Sequence, residues 1–435
     1  MYPTTIFKLT KESLWSALLL LFFASLFFPF GQALRYFFLG AFALSSIYMA
    51  IKEKRQRPVF SQHNYSFLFI FLFLVYVVVS FLLSDQTDGF RSLRIRMPLF
   101  VFPLIFFFLS YSREKRDGLL LKMAVITTIS CFISLNYAIF QAISKQDNAW
   151  LYNDALSFFI KQQSIYTALL VNLSIYIFSY FLLTRYKSNS YKLLLIIAIA
   201  FLFIISYLLA SRIMMIQLYC TVILLLFFYI YKKKKWLQGI GLLTGMIVTV
   251  LLVFLLFPKT FNRFKELGFT GYRYDNTASE SHYGGVLTKE QWNGANFRIA
   301  AWKCGWELFT QHPVTGVGIG DKTSQLNALY REKKFWFAID TGKNVHNNYL
   351  DILYSMGIIG LLLFVTGWFI LPVYFFLKQK DYLAMLISIT FACAMITEVY
   401  FDRSLGAILF GLFIPFLLSG SRKKETAPVT KTGMA

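Results

Sequence analysis

The sequence predicts an all-α protein that crosses a membrane about twelve times and carries a large, mainly helical loop between its ninth and tenth spans. Of its 435 residues, 57% are hydrophobic and 19% are aromatic. A single soluble core cannot hide that much apolar surface, so the lipid bilayer has to act as part of the solvent. Apolar runs long enough to cross a bilayer recur along the chain, and basic segments separate them on alternate loops. Together these observations exclude an ordinary soluble fold.

The apolar runs give the positions of the expected spans, because a hydrocarbon core of about 30 Å needs about 20 apolar residues per helix. We expect spans at 14–30, 33–51, 66–83, 97–111, 119–140, 164–184, 193–210, 213–230, 237–257, 352–377, 382–398 and 404–419. The first run follows Lys8 and Lys11 but lacks a small-residue cleavage site, which favours an uncleaved span over a signal peptide. The fourth is short, and Pro98 and Pro103 predict an irregular or tilted helix there.

The distribution of Lys and Arg predicts the orientation. The basic segments on one side of the predicted bundle are 52–57, 113–116, 185–187, 232–235, 378–380 and 422–424. By the positive-inside rule this side is the cytoplasm, and both chain termini lie there. Topology thus accounts for about half of the Lys and Arg residues behind the net charge of +22. Membrane lipids are expected partners, and nucleic acid is not.

The predicted spans and the loops between them also define the domain organisation. We expect spans one to nine in 1–257, an outer loop domain in 258–346, spans ten to twelve in 347–420 and a cytoplasmic tail in 421–435. Within the loop domain we expect an irregular segment over 261–291, a helix from Asn296 to His312, a glycine-rich turn at 316–320 and a second helix near 322–333. A shorter outer loop, 141–163, carries an apolar patch typical of a helix at the membrane interface.

Three arginines, Arg91, Arg94 and Arg96, stand on the outer side just before the fourth span, against the positive-inside bias. On a helix Arg91 and Arg94 share a face. Paired guanidinium groups at the level of the lipid headgroups suit a phosphate or pyrophosphate, through bidentate charge-assisted hydrogen bonds. The alternative is that they bind bulk phospholipid headgroups.

Two further arginines are candidates for an anion site. Arg212 lies in a tight turn between two spans and either anchors the helix end or points into the bundle. Arg298 lies on the predicted loop helix, with Trp302 and Trp306 one and two turns further on. That arrangement fits a surface arginine packed on indole rings, or a clamp in which the indole faces stack on a sugar while the guanidinium holds an oxyanion.

His346 is placed where the long loop re-enters the membrane, in the stretch Asn344–Leu350. A histidine has an ordinary pKa of about 6.5 and can accept a proton at neutral pH as a general base. The alternative is that a neighbouring Asn caps the next helix and His346 takes no part in the chemistry. Asn347 and Tyr349, with Trp302, are our candidates for substrate binding.

The remaining residue types argue against several other chemistries. The four cysteines form no CxxC pair, so neither a disulfide framework nor a zinc site is expected. No nucleophilic Ser or Cys and no acidic cluster stands beside His346 in the sequence, which argues against covalent catalysis and against a metal site. We expect no cofactor.

Three motifs resemble the O-antigen ligase family, which also includes O-antigen polymerases and protein O-oligosaccharyltransferases. They are an Arg-x3-Trp helix from Arg298, a His-Pro-x2-Gly-x-Gly turn from His312, and a His-Asn-x-Tyr-Leu-x5-Met-Gly-x2-Gly segment from His346. The match is concentrated in 298–360, with Arg212 and the Arg91 region as weaker points of similarity. The sequence departs from the family at Met356, where an acidic residue often precedes the glycine.

The resemblance implies a metal-independent glycosyltransferase of the bacterial inner membrane with its active site facing the periplasm. The donor would be a glycan linked to undecaprenyl pyrophosphate. His346 would deprotonate an acceptor hydroxyl, Arg298 and Arg212 would stabilise the departing pyrophosphate, and Arg91 and Arg94 would hold the donor headgroup. A base placed opposite the leaving group implies direct displacement with inversion.

The leading functional hypothesis is an O-antigen ligase that transfers this glycan to lipid A–core oligosaccharide. The alternatives with the same donor are a polymerase of O-antigen or another polysaccharide and a protein O-oligosaccharyltransferase. A transporter of lipid-linked glycans is an alternative of another class. A transporter is expected to carry its key charges at mid-membrane and to show internal repeats, whereas the candidate residues here gather at the outer rim.

Overall fold

A computed structural model of the chain describes residues 11–28, 32–52, 64–185, 188–234, 236–237, 240–241, 244–245, 248, 251, 258–281 and 291–420. The α-helices among these residues are α1 (Lys11–Ser25), α2 (Gln32–Lys52), α3 (Asn64–Leu82), α4 (Gln86–Phe108), α5 (Arg113–Lys145), α6 (Asn153–Leu156), α7 (Ser164–Thr184), α8 (Asn189–Leu209), α9 (Arg212–Lys233), α10 (Pro258–Lys265), α11 (Asn296–Gln311), α12 (Lys322–Glu332), α13 (Trp336–Asp340), α14 (Asn348–Val365), α15 (Leu371–Lys378), α16 (Tyr382–Ala394) and α17 (Ser404–Gly420). Short 3-10 turns occupy Asn148–Leu151, Glu266–Gly268 and Tyr400–Asp402, and a π-helical turn, Thr366–Ile370, joins α14 to α15.

The predicted all-helical membrane architecture is confirmed in outline. The described residues contain no β-strand beyond one isolated bridge between Glu280 and Trp292. Helices long and apolar enough to cross a membrane are Ala33–Ile51, Tyr65–Leu82, Arg113–Lys145, Ser164–Thr184, Asn189–Leu209 and Asn348–Lys378, and shorter apolar helices are Glu12–Ser25, Arg212–Phe227, Tyr382–Ala394 and Ser404–Gly420. The predicted ninth span, 237–257, lies mainly outside the described residues, so the count of twelve stays a prediction.

The fourth predicted span is part of a longer helix than the sequence indicated. Helix α4 begins at Gln86, because the Asp85 carboxylate accepts hydrogen bonds from the backbone N–H groups of Thr87 and Asp88 and so caps the first turn. It continues past Pro98 and Pro103 to Phe108. Pro98 packs closely on Gly411 of α17, where a Cβ would lie 2.9 Å from the Pro98 carbonyl oxygen. Such close backbone approach at small residues is typical of helix pairs in membranes.

Helix α14 is broken at Gly357, and a glycine-rich turn of the outer loop fills the break. Gly357 adopts φ +66° and ψ −170°, a conformation essentially reserved for glycine. The backbone N–H groups of Val317 and Gly318 donate to the carbonyls of Tyr354 and Ser355, each at 2.9 Å, and the Ile358 N–H donates to the Pro313 carbonyl at 2.9 Å. Both glycine motifs that carry the family resemblance therefore dock the loop onto the helix, where the sequence predicted one continuous span.

The loops predicted to lie on the same side do meet at one end of the bundle. The 84–96 segment contacts the long loop through the Gly320 N–H, which donates to Ser84 Oγ at 2.9 Å. At the opposite end, the basic segments meet around buried carboxylates: Arg116 bonds Asp381, and Arg185 lies 3.9 Å from Asp117. The alternation of loops is thus consistent with the predicted topology.

The 141–163 loop forms a 3-10 turn and the short helix α6 in place of a single interfacial helix. It is tied to the helices beneath it, because Gln162 Nε2 donates to the Leu26 carbonyl at 2.8 Å and Ser134 Oγ donates to the Leu156 carbonyl at 2.6 Å.

The two helices predicted in the long loop are confirmed as α11 and α12. They pack around a separate apolar core that includes Trp292, Phe297 and Phe335.

Candidate active site

The backbone of His346 adopts a left-handed conformation that residues other than glycine rarely adopt. His346 has φ +46°. Its N–H donates to Asn344 Oδ1 at 2.9 Å, and Trp302 Nε1 donates to the preceding carbonyl, that of Val345, at 2.9 Å. On the other side Asn347 caps α14 by accepting the Leu350 N–H. Strained backbone that is fixed by its surroundings is a frequent feature of active sites.

A carboxylate orients the imidazole ring. His346 Nδ1 lies 3.0 Å from Glu398 Oε2, and the Glu398 side chain is only 9% exposed. Phe297 packs edge-on against the ring, with the centroids 5.6 Å apart. A carboxylate at Nδ1 favours the tautomer with its hydrogen on Nδ1, which puts the lone pair on Nε2. The ring is therefore set up to accept a proton at Nε2, with the resulting positive charge stabilised by Glu398.

His346 and Glu398 line a cleft of about 210 Å³ that also holds arginines from three separate segments. Its lining residues are Asp154, Gln163, Ser164, Ile165, Ser211, Arg212, Ile213, Arg263, Arg298, His346, Thr397 and Glu398. Because the guanidinium groups outnumber the carboxylates in this lining, the cleft favours an anion. Arginine is the side chain best suited to binding phosphate oxygens in a fixed orientation.

Arg212 and Arg298 converge on Gly294. A Cβ placed on Gly294 would lie 2.3 Å from one terminal nitrogen of Arg212 and 3.0 Å from one of Arg298. Arg298 donates to the Gly294 carbonyl at 2.6 Å and to the Thr397 carbonyl at 3.3 Å. Arg212 donates to the Arg263 carbonyl at 2.9 Å, so the backbone holds both guanidinium groups at the cleft.

Three further contacts hold Arg212 and Arg263 in place at the cleft. Arg212 pairs with Glu266, whose side chain is fully buried, at 3.1 Å. Ser281 Oγ donates to the other Glu266 oxygen at 2.7 Å. Arg263 donates to Asn153 Oδ1 at 2.7 Å, which ties the long loop to α6. These partners preorganise the positive charge, since the arginines need not rearrange when an anion binds.

None of the predicted substrate-binding residues lines this cleft, and three of them line a second cavity. Trp302, Asn347 and Tyr349 line an open, mainly apolar groove of about 790 Å³ between α11 and α14. The other lining residues are Ile299, Lys303, Trp306, Glu307, Thr310, Leu350, Leu353 and Leu361. His346 and Asn347 are adjacent in the chain and line different cavities, so the catalytic candidate lies at the boundary between them.

The arginines of α4 do not line either cavity. Arg91 and Arg94 are exposed on the first turns of that helix. Arg96 is 2% exposed and lies 3.7 Å from Asp351 and 3.8 Å from Asp402. The structure thus brings His346, Arg298 and Arg212 together at one cleft, and it leaves Arg91 and Arg94 apart from them.

Sequence reasoning missed two residues of the cleft, Glu398 and Arg263. Glu398 lies 52 positions after His346, at the edge of a short outer loop that shows no motif. Its signal was weak: an acidic residue at the end of an apolar span, on the same side as the histidine. Arg263 stands in a segment that the sequence predicted to be irregular, whereas the structure places it on α10.

The loop domain also offers a buried thiol and no cluster of metal ligands among the described residues. Burial raises the pKa of the Cys304 thiol to about 11, and its sulfur lies against the Tyr274 hydroxyl. Such a thiol is a poor nucleophile at neutral pH. Within the described part of the chain, no three His, Cys, Asp or Glu side chains lie close enough together to hold a metal ion.

The sequence of this region matches a known family. Residues 195–365 match the family model described as O-antigen ligase. This confirms the family resemblance over that segment, which runs from α8 to the end of α14 and includes Arg212, Arg263, Arg298 and His346. No curated protein matches the chain.

The O-antigen ligase match and the apolar helices together indicate the general function. They support a bacterial membrane protein with a glycosyltransferase function of the O-antigen ligase or polymerase type, acting on lipid-linked glycans. The matched segment ends before Glu398, so the partner of the histidine lies outside it.

Proposed function

We propose that this protein is an O-antigen ligase of the bacterial inner membrane. It transfers a glycan from undecaprenyl pyrophosphate to lipid A–core oligosaccharide at the periplasmic face, without a metal ion and with inversion of the anomeric centre. The observation that carries the proposal is the position of His346, which is oriented by Glu398 at the edge of an arginine-lined cleft.

The proposed reaction is a direct displacement. His346 Nε2 accepts the proton of an acceptor hydroxyl, and the oxygen attacks the anomeric carbon of the donor sugar. The bond from that carbon to the pyrophosphate oxygen breaks, and its electron pair leaves with the pyrophosphate. Arg212 and Arg298 stabilise the negative charge that develops there, and Glu398 stabilises the imidazolium.

The apolar groove supports an acceptor that is anchored in the membrane. One wall is α14, whose Leu353 and Leu361 continue into a candidate membrane-spanning helix. The other wall is α11 of the loop domain, where Trp302 and Trp306 offer ring faces for stacking on sugars. A glycolipid fits such a groove, with its acyl chains against the leucines and its sugars near Asn347, beside His346.

Arg91 and Arg94 are assigned a role at the membrane surface. They are exposed on α4 among the apolar residues Phe90 and Met97, which are themselves exposed. Guanidinium groups in that setting bind phosphates at the headgroup level. We propose that they attract the donor headgroup before it reaches the cleft.

The closest alternative is a polymerase that uses the same donor and a growing glycan as acceptor. Deletion of the gene and electrophoresis of the cell's lipopolysaccharide separate the two functions. Loss of all polymer from an intact core supports the ligase. A product with a single repeat unit on the core supports the polymerase and contradicts the ligase. Unchanged lipopolysaccharide with an unglycosylated protein supports a protein acceptor.

A further inference from the structure

Four ionisable side chains form a cluster beneath the loop that carries His346; three are buried and Asp402 is 22% exposed. They are Arg96, Lys322, Asp351 and Asp402. Lys322 Nζ donates to both oxygens of Asp351, at 2.8 and 2.9 Å, and also to Asp402. Arg96 lies within 4 Å of both carboxylates, at 3.7 and 3.8 Å. The cluster joins α4, α12, α14 and the turn before α17 through two basic and two acidic side chains.

One side chain connects this cluster to the histidine. Asn344 Nδ2 donates to Asp402 Oδ2 at 2.9 Å, and Asn344 Oδ1 accepts the His346 N–H at 2.9 Å. The same amide therefore bonds the cluster through its nitrogen and the left-handed backbone of His346 through its oxygen.

Asp402 accepts these hydrogen bonds as a carboxylate. Burial opposes its ionisation, but the charges of Lys322 and Arg96, with the hydrogen bonds from Lys322 and Asn344, outweigh it and hold the pKa of Asp402 below its ordinary value. A lowered pKa is consistent with an Asp402 side chain that stays ionised and accepts the hydrogen bond from Asn344. The next residue back, Phe401, donates its N–H to Asn348 Oδ1 at 3.2 Å, which fixes the turn to the start of α14.

Stability alone is a weak reason for such a cluster. Transferring charged groups out of water is unfavourable, and apolar side chains of similar volume are often as stable or more so. What charged groups supply is a fixed geometry. We propose that Asp402, held by Lys322 and Arg96, is a positioning residue that sets the conformation of His346 through Asn344. The proposal rests on the proposed role of His346 as the base, and it assigns Arg96 to this support instead of to the substrate.

The test compares two double variants that share one substitution and differ only at residue 402, where the two new side chains have similar shapes. Lys322→Met with Asp402→Asn removes one charge of each sign and keeps an oxygen that accepts from Asn344. Lys322→Met with Asp402→Leu removes the same charges and leaves no acceptor. The assay measures glycan transfer by the full-length protein in nanodiscs, with kcat and the donor KM obtained separately, and thermal unfolding checks that both variants fold.

We expect the Asn double variant to keep a kcat within about threefold of wild type, and the Leu double variant to lose about tenfold or more in kcat with an unchanged donor KM. Equal kcat values in two folded double variants would overturn the proposal. A cluster with a purely structural role shifts the unfolding temperatures and leaves kcat per folded molecule the same.

A second comparison keeps the test decisive if neither double variant folds. Asn344→Ala removes the connection without touching the cluster. Lys343→Gln is the control on the neighbouring residue, since Lys343 pairs with Glu280 at 2.8 Å and not with the cluster. Asn344→Ala should lose about tenfold in kcat relative to Lys343→Gln, and equal values contradict the proposal. If the wild-type protein itself transfers no glycan to any acceptor, the proposed function fails, whereas activity that is insensitive to Asn344 refutes only this inference.

Discussion

His346 Nδ1 and Glu398 Oε2 lie 3.0 Å apart, although the two residues come from different loops at the outer end of the bundle. The contact joins the long loop to the segment between α16 and α17. Because the carboxylate is nearly buried and the imidazole faces the arginine cleft, the pair has the geometry of a base and its orienting acid.

This pair leads to the first prediction. His346→Ala should abolish glycan transfer, because no other side chain that lines the cleft is an imidazole. Glu398→Gln keeps the shape but presents an amide that no longer favours the Nδ1–H tautomer, so kcat should fall by about 10²–10⁴-fold. The measurement is single-turnover transfer with saturating donor. A Glu398→Gln enzyme with wild-type kcat would show that the carboxylate has no part in orienting the base.

A second prediction concerns Gly294, where Arg212 and Arg298 converge. In Gly294→Ala the new Cβ would lie 2.3 Å from an Arg212 nitrogen, so at least one guanidinium has to move. We expect weaker donor binding and a kcat/KM for donor lower by about tenfold or more, because arginine geometry sets pyrophosphate binding. Gly271→Ala is the matched control in the same loop, since a Cβ there meets nothing within 4 Å. Equal donor kinetics in the two variants would argue against an arginine clamp.

The sequence alone was sufficient to predict the elements that are determined by residues close together in the chain. Apolar periodicity and the His312-Pro313 stop predicted α11 and its end closely, because helix spacing and the proline restriction act within a few residues. The position of His346 at the re-entry point followed from the same patterns. Arg212 was singled out as a charge in a tight turn between two spans, and Arg298 because Trp302 and Trp306 follow it at helical spacing.

The contacts between distant segments could not be predicted in this way. Glu398 pairs with His346 across 52 positions, and Asn344 pairs with Asp402 across 58. No local pattern encodes which loops meet, since that depends on how the whole bundle packs. Arg96 is an example. Its position on the outer side of the membrane suggested a phosphate ligand, whereas in the structure it lies beside two carboxylates.

The break in α14 supports a prediction about stability. Gly357→Ala places a side chain at φ +66° and ψ −170°, which costs about 1–3 kcal/mol, and its Cβ would also lie 2.1 Å from the Val314 carbonyl oxygen. The loop would have to lift from the helix, so we expect a clearly lower unfolding temperature and loss of transfer. Gly40→Ala in α2 is the control, because nothing lies within 4 Å of its Cβ. Equal unfolding temperatures for the two variants would show that the break does not need glycine.

The last prediction tests whether the groove between α11 and α14 receives a membrane-anchored acceptor. Leu361 lines the groove, whereas its neighbour Leu362 is 59% exposed and does not. Leu361→Trp should fill part of the groove and raise the KM for a glycolipid acceptor by about tenfold, which corresponds to a loss of about 1.4 kcal/mol of apolar contact. Leu362→Trp should leave this KM near the wild-type value. Both variants should keep the wild-type donor KM, which separates this effect from damage to the cleft.

The same assay with the core oligosaccharide freed of its acyl chains provides a second comparison. If the groove binds the lipid anchor, the wild-type enzyme uses the delipidated acceptor poorly, and Leu361→Trp changes that low activity little. Equal use of both acceptors by the wild-type enzyme would mean that the acceptor reaches His346 by another route.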